Sequence, residues 1–129
     1  MSDIPKHIEQ YKHNKDFLET IDGTAFADWK ITVCFYCSLH KVIQCLHYAY
    51  DAEDSDHETH TTTRKFLKNK NISLAAVYGQ LYSLSKEARY NCIDVTGKVK
   101  NAESLLTKIE NMANTIIQQK ALEKSKNSS

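Results

Sequence analysis

Apolar side chains recur at every third or fourth position along most of this chain, a spacing that is typical of amphipathic helices. The longest such segment lies between residues 24 and 50. A helix that turns about 100° per residue gives this segment one broad apolar face, which we expect at the centre of the core. The face consists of Ile31, Phe35, Leu39, Val42, Ile43, Leu46 and Tyr50, and the far side carries Lys30, Lys41 and Gln44 with the cysteines nearby.

The same periodicity predicts three more long helices and one short helix. They cover residues 3–20 with Asp3 as the cap, residues 61–67, residues 72–90, and a last helix that Asp94 or Thr96 caps and that ends near residue 122. Residues 51–60 contain one alanine as their only apolar residue, so we expect a mobile connection there. Residues 123–129 predict a disordered tail behind a single domain of residues 1–122. The pattern indicates an all-α, antiparallel up-and-down four-helix bundle with an extra short helix.

Composition supports this fold class and limits the classes of function. The chain of 129 residues contains three glycines and one proline, which suits long uninterrupted helices. A formal charge of +1 argues against a strongly basic nucleic-acid binder, although it leaves room for a local basic patch. The sequence has neither a run of about eighteen apolar residues nor a signal-peptide pattern. We therefore expect a soluble cytoplasmic protein with no membrane partner.

Two cysteine and histidine patterns raise the question of metal or redox chemistry. Cys34-x-x-Cys37-x-x-His40 has a suggestive spacing, but on one helix these side chains spread over about 120°, and a zinc ion would need a fourth ligand from elsewhere. Since all four cysteines lie within helical pattern, we predict free buried thiols in a reducing compartment. His57 and His60 lie in or beside the acidic connection, where side chains are most often solvated. We predict no metal and no cofactor, and a metal at the His57/His60 loop is the open alternative.

A stripe of polar side chains on the predicted helix 72–90 is the most coherent candidate site. Arginine is scarce, with two in the chain against fifteen lysines, and Arg89 ends a stripe that contains Tyr78, Tyr82 and Ser85. Spacings of four, three and four keep these side chains within about 60° of one another. Hydroxyl donors that lead to a guanidinium suit a phosphate or a carboxylate. In the alternative interpretation, the tyrosines are boundary residues with solvated hydroxyls, and Arg89 pairs with the carbonyls that end its helix.

Four stretches, taken together, resemble the small prokaryotic HEPN-like proteins. They are DWKITVCFYCSLHKVIQCL, HETHTTTRKFL, YGQLYSLSKEARYN and VKNAESLL, which span residues 28 to about 110. The resemblance implies a helical up-and-down bundle, frequently a homodimer packed through the helices that carry the polar site. It also implies one of several roles: RNA-cutting toxins, nucleotide-binding partners of nucleotidyltransferases, and inactive members in defence systems.

The resemblance places Arg89 where the family's arginine sits ahead of the final helix. Ribonuclease members carry a histidine about four to six residues later, whereas here YNCIDVT follows and contains none. RNA cleavage needs a group that moves the proton of the 2′-hydroxyl, and arginine alone supplies only charge stabilisation. We therefore expect a non-catalytic bundle that binds a nucleotide, RNA or a protein partner in a cleft between helices. The expected ligand-binding residues are Arg89, Tyr78, Tyr82, Ser85, His40, Arg64 and His60.

Two alternatives remain open at this point. In one, a rebuilt site makes the protein a weak metal-independent ribonuclease, with His40 or His60 as the proton-moving group that meets Arg89. In the other, the bundle is a structural module whose only work is self-association.

Overall fold

The computed structural model describes residues 4–20, 26–90 and 94–127, and these form five α-helices and two short 3-10 helices. The α-helices are α1 (Ile4–Thr20), α2 (Ala27–Tyr50), α3 (His60–Lys70), α4 (Ile72–Tyr90) and α5 (Val99–Asn127), and the 3-10 helices are Asp54–His57 and Thr96–Lys98. The all-α prediction is confirmed for this part of the chain, and α3 is longer than the short helix expected. The predicted cap Asp3 lies outside the described residues.

Helix α2 is the central element, because it contacts α1, α4 and α5. Its predicted core face is confirmed: the side chains of Ile31, Phe35, Val42 and Leu46 have no exposed surface. Burying an aliphatic or aromatic side chain of this size stabilises a fold by about 1.5–3 kcal/mol. The neighbouring helices contribute Leu74 and Leu81 from α4 and Leu106, Ile109 and Ala113 from α5 to the same core.

The opposite side of α2 is also buried, although its sequence is more polar. Lys41 lies with its ammonium 5.2 Å from the centre of the Tyr11 ring on α1, and the Tyr11 hydroxyl donates a hydrogen bond to Glu110 on α5. Lys15 Nζ lies 3.0 Å from the same carboxylate. This polar layer lets α1 cover a lysine-bearing surface. Three cysteines of α2 are free and buried, as predicted: Cys34, Cys37 and Cys45. Cys92 lies outside the described residues.

The connection between α2 and α3 differs from the mobile segment expected. Asp51 adopts a left-handed conformation with φ of 52°, and Ala52 behind it is buried. Glu53 and Asp56 then form a reciprocal capping box around the 3-10 helix, and Thr59 caps α3 by accepting a hydrogen bond from the backbone N–H of Thr62. Hydrogen bonds between side chains and the nearby backbone therefore support regular structure in a segment that has few apolar residues.

The C-terminal region differs from the disordered tail expected over residues 123–129. Helix α5 continues to Asn127, because its last turns contain good helix formers and no glycine or proline. Lys124 Nζ lies 3.4 Å from a carboxylate oxygen of Asp51, which connects this end of α5 to the end of α2. Ser128 and Ser129 lie outside the described residues. At the other end, Asp94 accepts a hydrogen bond from the N–H of Thr96, as a cap for the turn that precedes α5.

None of the helices in the described part of the chain combines the length and the apolar character that crossing a lipid bilayer requires.

Replacing Leu46 by alanine tests the central position of α2. We expect the free energy of unfolding to fall by about 2–5 kcal/mol, because a fully buried leucine leaves a cavity that the surrounding helices only partly fill. Urea denaturation followed by circular dichroism measures this change. Leu122→Ala is the matched control: its side chain is 63% exposed, and we expect a change within about 0.5 kcal/mol. Equal effects of the two substitutions would contradict this packing.

Candidate functional site

The guanidinium of Arg89 lies between α4 and α2. Its Nη1 donates a hydrogen bond to the hydroxyl of Tyr36 at 3.0 Å, while Nε and Nη2 donate to the backbone oxygen and the hydroxyl of Ser85, each at 3.2 Å. The same group lies 5.7 Å from the ring centres of Phe35 and Tyr36. A planar fork of donors that stacks near aromatic rings is the arrangement for which arginine is preferred over lysine. The scarce arginine therefore serves an interhelical contact.

His60 joins this group from the first turn of α3. Its ring centre lies 5.3 Å from that of Phe35 and 5.3 Å from that of Tyr82. The Nδ1 atom of His60 is buried and has no hydrogen-bond partner among the residues that the structure describes. Burial, and then the nearby positive charge of Arg89, lower the pKa of His60. A neutral imidazole thus lies beside a permanent cation.

Arg64 lies one turn after His60 and is exposed. Its guanidinium carbon lies 5.3 Å from the ring centre of Tyr82, and Lys86 approaches the same ring at 5.6 Å. Arg64 passes close to Gly79 on α4: a methyl group added to Gly79 would lie 3.7 Å from Arg64 Nη2, an ordinary van der Waals contact. Tyr82 therefore has two cations near its ring and His60 against it.

A groove of about 630 Å³ runs between α3 and α4 beside this ring. Its charged lining is entirely basic, because Arg64, Lys65 and Lys68 supply every charge among the residues that border it. The remaining lining residues are Ile72, Ala75, Ala76, Gly79, Gln80 and Ser83. Three cations along one edge of a concave surface favour an anionic ligand over a neutral or cationic one.

Three of the residues predicted to bind a ligand lie elsewhere or are not accessible: His40 lies elsewhere, and Tyr78 and Ser85 are fully buried. His40 does not join Arg89, because its Nδ1 lies 2.9 Å from Nδ1 of His7 on α1. Burial, with a smaller contribution from His7, lowers the pKa of His40 to about 4. Tyr78 is fully buried, and burial raises the pKa of its hydroxyl, for which residues 4–20, 26–90 and 94–127 supply no hydrogen-bond partner. The structure thus brings together Arg89, Ser85, Tyr82, His60 and Arg64 from the predicted set.

Sequence reasoning missed Tyr36, Lys65 and Lys68. Tyr36 lies four residues before His40 and therefore on the same side of α2, and only the packing of α4 against α2 selects the tyrosine as the partner of Arg89. Arg64 and Lys68 have the i, i+4 spacing that puts two cations on one helix face. The sequence shows this spacing, but it does not show that the two cations line a groove between α3 and α4.

Protein-family models, curated proteins and solved structures were all compared with this chain, and none of the three comparisons finds a match. The candidate function therefore rests on the geometry of the site and on the resemblance of the motifs.

The Cys34-x-x-Cys37-x-x-His40 motif does not form a ligand set in the structure. Both thiols are fully buried, and His40 is directed to His7. Burial raises the pKa of Cys34 and of Cys37 to about 12, and that of Cys45 to about 11. Cysteine reacts and binds metals as the thiolate, so these groups are inert in the folded protein.

We expect these three thiols to resist alkylation by iodoacetamide at mildly alkaline pH while the protein is folded, and to react fully in concentrated urea. Mass spectrometry of a Cys92→Ser variant counts the modified thiols without interference from the fourth cysteine. Rapid alkylation of Cys34 or Cys37 in the native protein would show that the flank of α2 opens readily and would revive a redox role.

Proposed function

We propose that this protein is a HEPN-like helical bundle without catalytic activity that binds a phosphate-bearing ligand, a nucleotide or RNA, in the basic groove between α3 and α4. The observation that carries the proposal is the position of Arg64: it lines the groove together with Lys65 and Lys68, and its guanidinium lies over the Tyr82 ring. The motif resemblance supports it independently, since nucleotide- and RNA-binding proteins are among the HEPN-like families.

Arg64 is suited to bind a phosphate directly. A guanidinium offers parallel N–H donors that match two oxygens of a phosphate, and its contact with an aromatic ring restricts the side chain before the ligand arrives. Lys65 and Lys68 add charge along the groove, so part of the affinity is electrostatic and falls as salt rises. The exposed Ile72 and the two alanines of the groove offer apolar surface to a base or a sugar.

Arg89 has a different task in this proposal from the one that the sequence suggested. Its donors reach Tyr36 and Ser85, so it holds α4 against α2. Its charge also adds to the positive potential around His60. Arg89 is thus a positioning residue, and Arg64 is the residue that contacts the ligand.

Titration of a fluorescently labelled short RNA, and of ATP in a separate series, tests the groove at low ionic strength. We expect Arg64→Ala to weaken binding about tenfold or more, the effect of losing a charge-assisted hydrogen bond worth about 1.5–3 kcal/mol. Lys68→Ala should cause a smaller loss and a shallower salt dependence. Lys108→Ala, an exposed lysine on α5, is the matched control and should bind like the wild type.

Two outcomes would contradict this proposal. If Arg64→Ala and Lys108→Ala bind RNA and ATP equally well, the ligand does not occupy the groove. If the wild type binds neither at low salt, the groove serves another partner, and the protein-binding role implied by the family resemblance takes its place.

A second candidate function, metal-independent cleavage of RNA, is favoured by one observation. His60 and Arg89 both lie against the Phe35 ring, whose centre is 5.3 Å from the His60 ring centre and 5.7 Å from the guanidinium carbon of Arg89. The fold therefore brings a histidine near Arg89, although the segment that follows Arg89 in the sequence contains none. A neutral His60 is able to accept the proton of a 2′-hydroxyl, while Arg89 or Arg64 stabilises the charge on the phosphate.

Incubation of labelled single-stranded RNA with protein in EDTA tests this candidate. A base acts in its deprotonated form, and burial with the charge of Arg89 lowers the pKa of His60. Cleavage should therefore increase with pH through the acidic range and reach its plateau at a lower pH than an unperturbed histidine would give. His60→Ala should abolish the activity, whereas His13→Ala on the exposed side of α1 should keep it. Cleavage that His60→Ala retains at every pH would exclude this mechanism.

A further inference from the structure

Four of the six histidines meet on the side of α2 that faces α1 and the 3-10 helix Asp54–His57. His47 Nε2 lies 2.7 Å from His57 Nε2, and His7 Nδ1 lies 2.9 Å from His40 Nδ1. The rings of His7 and His57 meet edge to face with their centres 5.9 Å apart, which joins the two pairs. The side chain of His57 is only 8% exposed. Such a concentration of imidazoles in one partly buried place requires a physical explanation.

Asp54 completes a possible ligand set at one end of this cluster. One of its carboxylate oxygens lies 3.9 Å from His57 Nε2, and the ligand atoms of His47, Asp54 and His57 all lie within 4.8 Å of one another. Ligand atoms on one tetrahedral zinc ion, with bonds of about 2.0–2.1 Å, are separated by roughly 3.3 Å. The observed separations bracket that value, so small side-chain rotations bring the three atoms onto a common ion.

The backbone supports this convergence from both sides. His47 lies in the last turn of α2, and the left-handed conformation of Asp51 turns the chain back on itself after the helix ends. The capping box of Glu53 and Asp56 then fixes the 3-10 helix that carries both Asp54 and His57. Two ligands thus come from one short ordered element, and the third comes from the helix against which it folds.

We propose that His47, His57 and Asp54 bind one divalent transition-metal ion, with zinc as the best match. Two imidazole nitrogens and one carboxylate oxygen form a donor set of intermediate softness, which suits Zn²⁺ or Co²⁺ better than Mg²⁺ or Ca²⁺. Three protein ligands leave a coordination position for water, on the side where Asp54 is 40% exposed. His7 packs against the His57 ring and limits its orientation, as a second layer of residues does in metal sites.

The ion would connect the end of α2 to the segment that leads into α3. His57 is followed three residues later by His60 and seven residues later by Arg64. Metal binding at this point would therefore stabilise the connection and fix the start of the helix that lines the basic groove. This role is independent of whether the groove binds RNA, because it concerns the stability of the α2–α3 connection.

Titration of metal-free, untagged protein with Zn²⁺ against a chromophoric indicator, and with Co²⁺ by visible absorption, tests the proposal. We expect one ion per chain, a Co²⁺ spectrum without a thiolate charge-transfer band, and a rise in melting temperature on adding zinc. His57→Ala and Asp54→Asn should each weaken Zn²⁺ binding at least tenfold and remove the thermal shift. His13→Ala, a histidine outside the cluster, should behave like the wild type.

Circular dichroism shows whether the two variants fold. If His57→Ala does not fold, the near-isosteric Asp54→Asn variant still tests the assigned ligands. Two results would overturn the proposal: wild-type protein that binds neither ion, which would leave the cluster as two hydrogen-bonded imidazole pairs, or zinc binding that both variants retain at full strength. Loss of binding in His13→Ala as well as in the cluster variants would equally exclude the assigned ligands.

Discussion

The buried ring of Phe35 is the point at which three helices meet, and the candidate site depends on it. From α2 it contacts the rings of His60 on α3 and of Tyr78 and Tyr82 on α4, with centres 5.3–5.6 Å apart. The guanidinium of Arg89 lies 5.7 Å from the same ring. Aromatic contacts of this kind add about 0.5–1.5 kcal/mol each beyond the area they bury. The Phe35 ring thus connects the first turn of α3 to α4, the two helices that line the groove.

Helix α2 separates two polar clusters with different chemistry. The cluster around Tyr82 combines permanent cations with one imidazole, an arrangement suited to anions. The cluster around His57 combines imidazoles with a carboxylate, an arrangement suited to a metal cation. Only Glu58 and Thr59 separate His57 from His60 along the chain, yet the two histidine side chains belong to different clusters. The 3-10 helix and the cap at Thr59 cause this division, because they turn the chain between the two positions.

Polar side chains inside the bundle explain why amphipathic pattern predicted its helices better than its faces. The predicted apolar face of α2 is correct. The opposite side of α2, which carries Lys41, has a more polar sequence, but it is also buried, because Tyr11 on α1 covers Lys41 and donates a hydrogen bond to Glu110 on α5. The polar stripe on α4 was expected to bind a ligand in a cleft between helices, whereas two of its members, Tyr78 and Ser85, are fully buried. The Ser85 hydroxyl is buried with hydrogen bonds to Tyr82 and Arg89 on its own helix, and the Tyr78 ring is buried among apolar and aromatic side chains. A polar side chain is thus buried where its surroundings compensate for the loss of water.

The helical class and the approximate bounds of the long helices followed from the sequence, because periodicity and caps are local properties, and scarce residue types pointed to Arg64, His60 and Arg89 as candidates. Which side chains meet depends on how the helices pack. The tertiary structure directed His40 to His7 and not to Arg89, gave Arg89 the hydroxyl of Tyr36, and brought His47 and Asp54 to His57. These pairings depend on the rotation and the depth at which whole helices pack, and no single stretch of chain encodes either quantity.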